Sequence, residues 1–160
     1  MNNLTLLCVG KIKESYLSEG IAEYVKRLAK FAKLEIVEVD EAKSSLNPTE
    51  GEIRQILEIE GERLLARLPK DAVAIALAIE GESLTSEALS GVIEKISTYQ
   101  SSHLAWIIGG SHGLSSAVKA RADRLLSFSK LTFPHQLMRL ILCEQLYRAF
   151  SILNHSSYHK

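Results

Sequence analysis

The sequence has few of the residues that stabilise small secreted folds or metal sites. Its only two cysteines, Cys8 and Cys143, lie far apart within apolar patterns. Intracellular cysteines rarely pair, so we interpret both as reduced thiols in the core of a cytoplasmic protein. The five histidines lack neighbouring sulfur or carboxylate ligands in a zinc-site pattern, and we therefore expect no metal.

Membrane and secretion signals are missing as well. No stretch approaches the roughly 20 apolar residues that span a bilayer, and the first ten residues lack the basic start and cleavage site of a signal peptide.

The chain also has no linker, repeat or low-complexity tract. With 46% apolar and 24% charged residues, its composition is that of a globular protein. We expect residues 1–160 to form a single domain.

The chain carries no net charge, but its charges are unevenly distributed. Residues 35–62 hold nine acids against two bases, whereas residues 119–160 hold seven bases against two acids. These charges either solvate exposed helix faces or orient the molecule on an anionic partner. Charge alone leaves both interpretations open.

Apolar spacing predicts alternating strands and helices. The predicted strands are Leu4–Val9, Leu34–Val39, Ala72–Ile79, His103–Ile108 and Leu125–Ser129. The predicted helices are Glu14–Ala32, one from Pro48 to near Pro69, Ser86–Gln100, Ser115–Arg124 and Gln136–Leu153. Residues 72–79 are apolar at every position, which is typical of a parallel strand covered on both faces. The sequence therefore predicts an α/β fold with a parallel sheet flanked by helices.

Local signals predict where two of these elements begin or end. Asn47 is expected to cap the second helix, with Pro48 at its first position and a Thr49-x-x-Glu52 capping box behind it. Glu80-Gly81 is expected to turn the chain after the apolar strand.

The last helix is apolar nearly all round, which is unusual for a chain of this size. A second subunit is the simplest cover, so we expect a homodimer through residues 136–153. Arg139, Glu144 and Arg148 interrupt the apolar pattern. Charges there are costly unless they are paired or used, and both explanations stay open.

The segment Gly109-Gly110-Ser111-His112-Gly113 joins a predicted buried strand to a predicted helix. Open α/β sheets bind ligands at this position, and glycines let a ligand approach the backbone. The alternative is a tight turn that needs positive φ. The motif is not a Walker loop, and no nucleophile elbow occurs elsewhere in the chain.

Several segments together resemble one protein family. They are V-G-K-I-K-E (9–14), A-E-Y-V-K-R-L (22–28), E-G-E-R-L-L (60–65), I-I-G-G-S-H-G-L (107–114), L-S-F-S-K-L-T-F-P-H-Q-L-M-R (126–139), E-Q-L-Y-R-A-F (144–150) and Y-H-K (158–160). The pattern resembles the RlmH family of SPOUT methyltransferases over essentially the whole chain. These small bacterial enzymes methylate N3 of a pseudouridine in 23S ribosomal RNA.

The resemblance implies a SPOUT fold, whose C-terminal part forms a trefoil knot and binds S-adenosylmethionine in a bent form. It also implies a homodimer that holds 23S ribosomal RNA across both subunits. It implies no membrane partner. The implied cofactor residues are Leu77, Gly109, Phe128, Ser129, Lys130, Leu131, Thr132 and Phe133.

Methylation of N3 requires loss of its proton, for which histidine is the natural base. His135 and His159 are candidates, and the sequence does not single out either. Arg139 and Arg148 could hold phosphate or stabilise the developing anion, and Tyr158 could stack on the base.

Three questions stay open at the level of sequence. The tail that contains Tyr158 and His159 is either frayed and dispensable or lies beside the methyl donor. The target could instead be a tRNA base, or the chain could bind ribosomes without a cofactor site. The sequence also does not tell whether free RNA, a subunit or the ribosome is the substrate.

Overall fold

The computed structural model describes residues 1–160 and contains a five-stranded sheet with helices on both faces. The elements are β1 (Asn2–Val9), α1 (Ser15–Leu28), β2 (Ala32–Val39), α2 (Glu50–Arg67), β3 (Val73–Ser83), α3 (Ser86–Tyr99), β4 (His103–Ile108), α4 (Ser116–Arg121), β5 (Arg124–Ser127) and α5 (His135–Leu153). The strand order is β2-β1-β4-β3-β5, and all pairings are parallel. The predicted α/β class is confirmed.

The sheet separates two apolar layers. Successive strand residues point to opposite faces, so Leu6 and Trp106 pack with α1, α3 and α5, while Leu7 and Ile107 pack with α2 and α4. All four side chains are fully buried. The central strands β1 and β4 are therefore buried on both faces, and most of their residues are apolar.

The capping box at the start of α2 is confirmed, but the predicted cap residue was wrong. Thr49 is the N-cap: its hydroxyl accepts the Glu52 N–H, and the Glu52 carboxylate accepts the Thr49 N–H. The box satisfies the backbone N–H groups of Thr49 and Glu52 reciprocally, so the helix begins directly after Thr49. Asn47 and Pro48 therefore lie before the helix.

The predicted turn at Glu80-Gly81 was also wrong, because β3 continues to Ser83. Leu77 and Glu82 both align with Leu126 of β5, so the strand contains an irregularity between them. A Cβ at Gly81 would overlap the β5 backbone. Glycine here allows close approach of two strands, not a turn.

Two helices are shorter than their apolar periodicity predicted. α1 ends at Leu28, and Ala32 already pairs with Asn2 in the sheet. α4 ends at Arg121 after its N-cap Ser115. In both cases the last residue of the predicted helix belongs instead to the following strand, although its spacing would also fit a helix.

Most of the apolar surface of α5 is covered within one chain. Leu142, Cys143, Leu146 and Phe150 are buried in the core that α1 and α3 share, and no residue of α5 is fully exposed. The apolar pattern of α5 therefore does not by itself require a second subunit. The homodimer and the trefoil knot stay predictions.

Both cysteines are free and buried, as expected. Burial raises the pKa of the Cys8 thiol to about 11 and that of the Cys143 thiol to about 12. They are unreactive core residues. None of the five helices is both long and apolar enough to cross a membrane.

Candidate functional site

A cavity of about 760 Å³ opens beyond the carboxyl ends of β4 and β5, beside β3. Its size is in the range of small-molecule sites, and its position is where parallel sheets bind ligands. The lining residues are Leu57, Leu77–Glu80, Ile108–Leu114, Lys119, Leu126–Ser129, Leu131–His135 and Met138. The cavity is therefore built from the two loops that the sequence singled out.

The glycine loop after β4 forms one wall. Gly113 has a φ of +92° and donates its N–H to the Gly110 carbonyl at 3.1 Å. A Cβ at Gly109 would overlap the Gly113 carbonyl. The loop is thus a tight turn that also lines a cavity. The turn is confirmed, and ligand binding at its glycines stays a prediction.

The loop after β5 forms the opposite wall. The Ser127 hydroxyl donates to the Ser129 carbonyl at 3.1 Å, and the Ser129 hydroxyl accepts the Leu131 N–H at 2.9 Å. These bonds fix the loop that carries Leu131. Leu131 is 71% exposed and Ile79 is 55% exposed, and both line the cavity. Such exposed apolar side chains are what a bound ligand would cover.

Seven of the eight residues implied for cofactor binding line this one cavity. They are Leu77, Gly109, Phe128, Ser129, Leu131, Thr132 and Phe133. The eighth, Lys130, is exposed and its side chain is not part of the lining.

His135, the first residue of α5, also lines the cavity. Its buried Nε2 has no hydrogen-bond partner, and the nearest carboxylate oxygen, Glu41 Oε1, is 3.9 Å away. That distance is too long for a hydrogen bond. Burial lowers the pKa of His135, Glu41 raises it less strongly and Arg139 lowers it further. The ring is therefore neutral at pH 7 and can accept a proton.

Arg139 does not line the cavity, and its predicted contact with phosphate or with the developing anion stays a prediction. It is 1% exposed, and its Nη1 lies 2.5 Å from Glu38 Oε2. Its Nη2 donates to the carbonyls of Val9 and Gly10. Of the two explanations for this buried charge, structural pairing is the observed one.

Arg148 lies near the other end of α5 and is paired as well. Its Nε and Nη2 donate to Glu144 Oε1 at 2.8 and 2.7 Å. Its Nη1 lies 3.0 Å from His159 Nδ1, and its guanidinium stacks 4.8 Å from the centre of the Tyr158 ring. Arg148 is half-buried, so it retains contact with solvent.

The tail is docked, not frayed. The Tyr158 ring packs edge-on against Tyr147 at 4.7 Å, and its hydroxyl lies 3.3 Å from Glu144 and 3.4 Å from Tyr24. His159 Nε2 lies 2.6 Å from Glu87. Burial is the main cause that raises the pKa of the Tyr158 hydroxyl, and the hydrogen bond to Tyr24 raises it further. The hydroxyl therefore stays protonated.

Within one chain the tail does not line the cavity. Met138 is at the cavity and Arg148 at the tail, and ten helical residues separate them by about 15 Å. The structure therefore groups Arg148, Tyr158 and His159 in one cluster and leaves His135 with the cofactor residues.

Sequence reasoning missed several residues at the cavity. Lys119 and Glu80 form an ion pair of 2.5 Å at its rim, which lowers the pKa of Glu80. Glu41 and Glu60 lie behind the loops that form its walls. Glu60 begins the E-G-E-R-L-L segment, but that motif assigned it no role, and only its place in an acidic segment marked Glu41. No group of three or more His, Cys, Asp or Glu is arranged to hold a metal ion.

The chain matches a known class of methyltransferase over nearly its whole length. A family model described as "Predicted SPOUT methyltransferase" matches residues 2–159. Proteins named ribosomal RNA large subunit methyltransferase H are similar to the chain over its full length. The one from Shouchella clausii is 54% identical over 158 residues, covering 99% of both chains. The one from Bifidobacterium adolescentis is 54% identical over 157 residues, covering 98% of this chain and 99% of its own. The chain belongs to the RlmH family of SPOUT methyltransferases.

Solved structures with low sequence identity share the fold. A probable methyltransferase from Bordetella pertussis has a TM-score of 0.55 at 14% identity, covering 92% of this chain and 95% of its own. A probable methylase family protein from Haemophilus influenzae has a TM-score of 0.51 at 13% identity, covering 99% of this chain and 70% of its own. At these identities the likeness concerns the fold alone.

Proposed function

We propose that the protein is a single-domain enzyme that methylates N3 of a pseudouridine in 23S ribosomal RNA, using S-adenosylmethionine. The observation that carries the proposal is the cavity, because one site brings together the glycine loop and the loop after β5. The names of the relatives, which refer to the large-subunit ribosomal RNA, support the substrate class.

The cavity is suited to an adenosine-containing ligand. Gly109 and Gly110 line the cavity with backbone, and the apolar Leu77, Leu131 and Phe133 can pack against the rings. The backbone N–H and C=O groups of residues 128–133 can recognise the adenine edge. When bound, S-adenosylmethionine supplies an electrophilic methyl group.

His135 is the better placed of the two candidate bases. It lines the cavity and is neutral at pH 7, so its imidazole is suited to accept the N3 proton. His159 is held between Glu87 and Arg148 and is remote from the cavity of its own chain. Correct placement of the reacting atoms supplies much of the remaining rate enhancement.

The proposed assembly is a homodimer that includes α5, in which the tail of one subunit approaches the cavity of the other. In that assembly Tyr158, His159 and Arg148 would contact the target base or its phosphate. The proposed trefoil knot involves the C-terminal part of the chain. A ribosomal substrate makes the cytoplasm the proposed place of action.

Two other functions remain to be separated from this one by experiment. Equilibrium dialysis with S-adenosylmethionine tests whether the chain binds a cofactor; absence of binding would favour a ribosome-binding protein without enzymatic activity. Mass spectrometry of RNA from a strain that lacks the protein tests the target. A missing methyl group in 23S RNA supports the proposal, whereas one missing in tRNA would contradict it.

A further inference from the structure

Glu60 is a buried carboxyl group directly behind the glycine loop, and the proposed reaction does not use it. It is 5% exposed. It lies three residues after Leu57, which lines the cavity, and residues three apart share a helix face. A Cβ at the next residue, Gly61, would overlap the Ser115 hydroxyl. Helix α2 is therefore pressed against the segment that follows the glycine loop.

The two carboxylate oxygens of Glu60 have different surroundings. Oε2 accepts the N–H of Ala42 at 3.1 Å and so fixes the segment after β2. Oε1 is fully buried and has no hydrogen-bond partner. It lies behind the glycine loop, since a Cβ at Gly110 would be 3.2 Å from it. A buried acceptor without a partner is costly and rare in native proteins.

We propose that Glu60 is a positioning residue for cofactor binding: when S-adenosylmethionine binds, Oε1 accepts a hydrogen bond from residues 110–112 and fixes the glycine loop against the ligand. The inference rests on the proposed function, because it takes S-adenosylmethionine as the ligand. Glu60 does not line the cavity, so it acts through the loop. The Glu60 carboxylate then connects Ala42, through Oε2, with the glycine loop, through Oε1.

Such a bond makes cofactor binding depend on the protonation of Glu60. Burial raises the pKa of Glu60 in the free protein; the Ala42 N–H lowers it, Glu41 raises it, and His112 and Arg63 lower it. A new hydrogen bond to the ionised carboxylate lowers that pKa in the complex. Binding therefore releases protons at mildly acidic pH, and affinity falls as the pH falls there. A residue that only supports the fold produces no such proton release.

The test is isothermal titration of the protein with S-adenosylmethionine at about pH 5 and about pH 7, near and above the usual carboxyl range. Each titration is repeated in buffers of different ionisation enthalpy, which gives the number of protons released. The variant is Glu60→Gln, and the control is Glu62→Gln, which removes the same charge from an exposed neighbour. The amide that Glu60→Gln introduces can offer its single oxygen to Ala42 or to the loop, but not to both.

We expect the wild type and Glu62→Gln to release protons on binding at the lower pH. Glu60→Gln should release fewer and bind about tenfold more weakly at the higher pH, as loss of one buried hydrogen bond implies. Equal affinity and equal proton release for Glu60→Gln and the wild type would refute the positioning role. Failure of the wild type to bind S-adenosylmethionine would instead refute the proposed function and this role with it.

A second variant tests the same contact from the loop if Glu60→Gln does not fold. Gly110→Ala places a methyl group 3.2 Å from Glu60 Oε1 and from Val9 Cγ1. It should weaken binding and remove the proton release at acidic pH. Unchanged proton release in a folded Gly110→Ala protein would contradict the proposal.

Discussion

The guanidinium of Arg139 lies 2.5 Å from the carboxylate of Glu38 and joins α5 to the end of β2. The same guanidinium donates to the carbonyls of Val9 and Gly10 at the end of β1. His135 lies one turn earlier on α5 and lines the cavity. The ion pair therefore fixes the helix that presents the candidate base.

Replacing Arg139 should destabilise the fold. Arg139→Met leaves Glu38 and two backbone carbonyls without their donor, which should lower the free energy of unfolding by about 3 kcal/mol. Urea denaturation measures the change. Arg124→Met is the control, because the Arg124–Glu82 pair is largely exposed and should contribute less than about 1 kcal/mol. Equal losses for the two variants would contradict a structural role for Arg139.

Gly109→Ala should disrupt the glycine loop itself, because the added Cβ would overlap the Gly113 carbonyl. We expect a lower melting temperature together with weaker binding of S-adenosylmethionine. Gly91→Ala in α3 is the control, since a Cβ there meets no atom within 4 Å, and it should stabilise the helix by up to about 1 kcal/mol. Weaker binding by Gly109→Ala at unchanged melting temperature would instead mean that the glycine only makes room for the ligand.

The tail should contribute to activity more than to cofactor binding. Deletion of residues 158–160 removes the packing of Tyr158 on Tyr147, which should cost about 1 kcal/mol. It should leave the affinity for S-adenosylmethionine nearly unchanged but lower single-turnover methylation at least about tenfold. The control is Tyr158→Phe, which keeps the ring packing and loses only the hydroxyl. Wild-type rates from the truncated protein would show that the tail is dispensable.

His135 should make the fold less stable at acidic pH. Burial lowers its pKa in the folded state, so the unfolded chain binds its proton first as the pH falls. The contribution of His135 to the free energy of unfolding is complete above its pKa in the unfolded chain, about 6.5. It is lost as the pH falls towards the lower pKa of the folded state. His135→Asn should therefore lose less stability than the wild type between about pH 7.5 and 5.5 in urea denaturation. The exposed His155→Asn control should retain the wild-type dependence.

The layered fold was predictable because its signals are local or periodic. The unbroken apolar run of β3 predicted a sheet covered on both faces, and Thr49 with Glu52 predicted the capping box of α2, although the cap was expected at Asn47. The ends of helices and strands were less predictable where a residue is compatible with two different local structures. Gly81 could turn the chain or admit a neighbouring strand, and only the position of β5 decides between them.

The residues of the site were predictable where the sequence carries a recognisable motif. They were not predictable where a contact joins residues that are distant in the sequence. The loops around Gly109 and Leu131 were identified, and they meet at one cavity. The partners of Arg139 and Glu60 lie 101 and 18 residues away in the sequence. No local pattern encodes such contacts, so the structural use of Arg139 and the burial of Glu60 required the structure.

The most direct test of the account is single-turnover methylation of ribosomes from a strain that lacks the protein. The purified protein and labelled S-adenosylmethionine are added, and the nucleosides of each RNA are analysed by mass spectrometry. We predict that the label appears in 23S RNA as N3-methylpseudouridine, and that His135→Asn slows its appearance by at least about a hundredfold. Label in tRNA, label in another nucleoside, or no label at all would contradict the account.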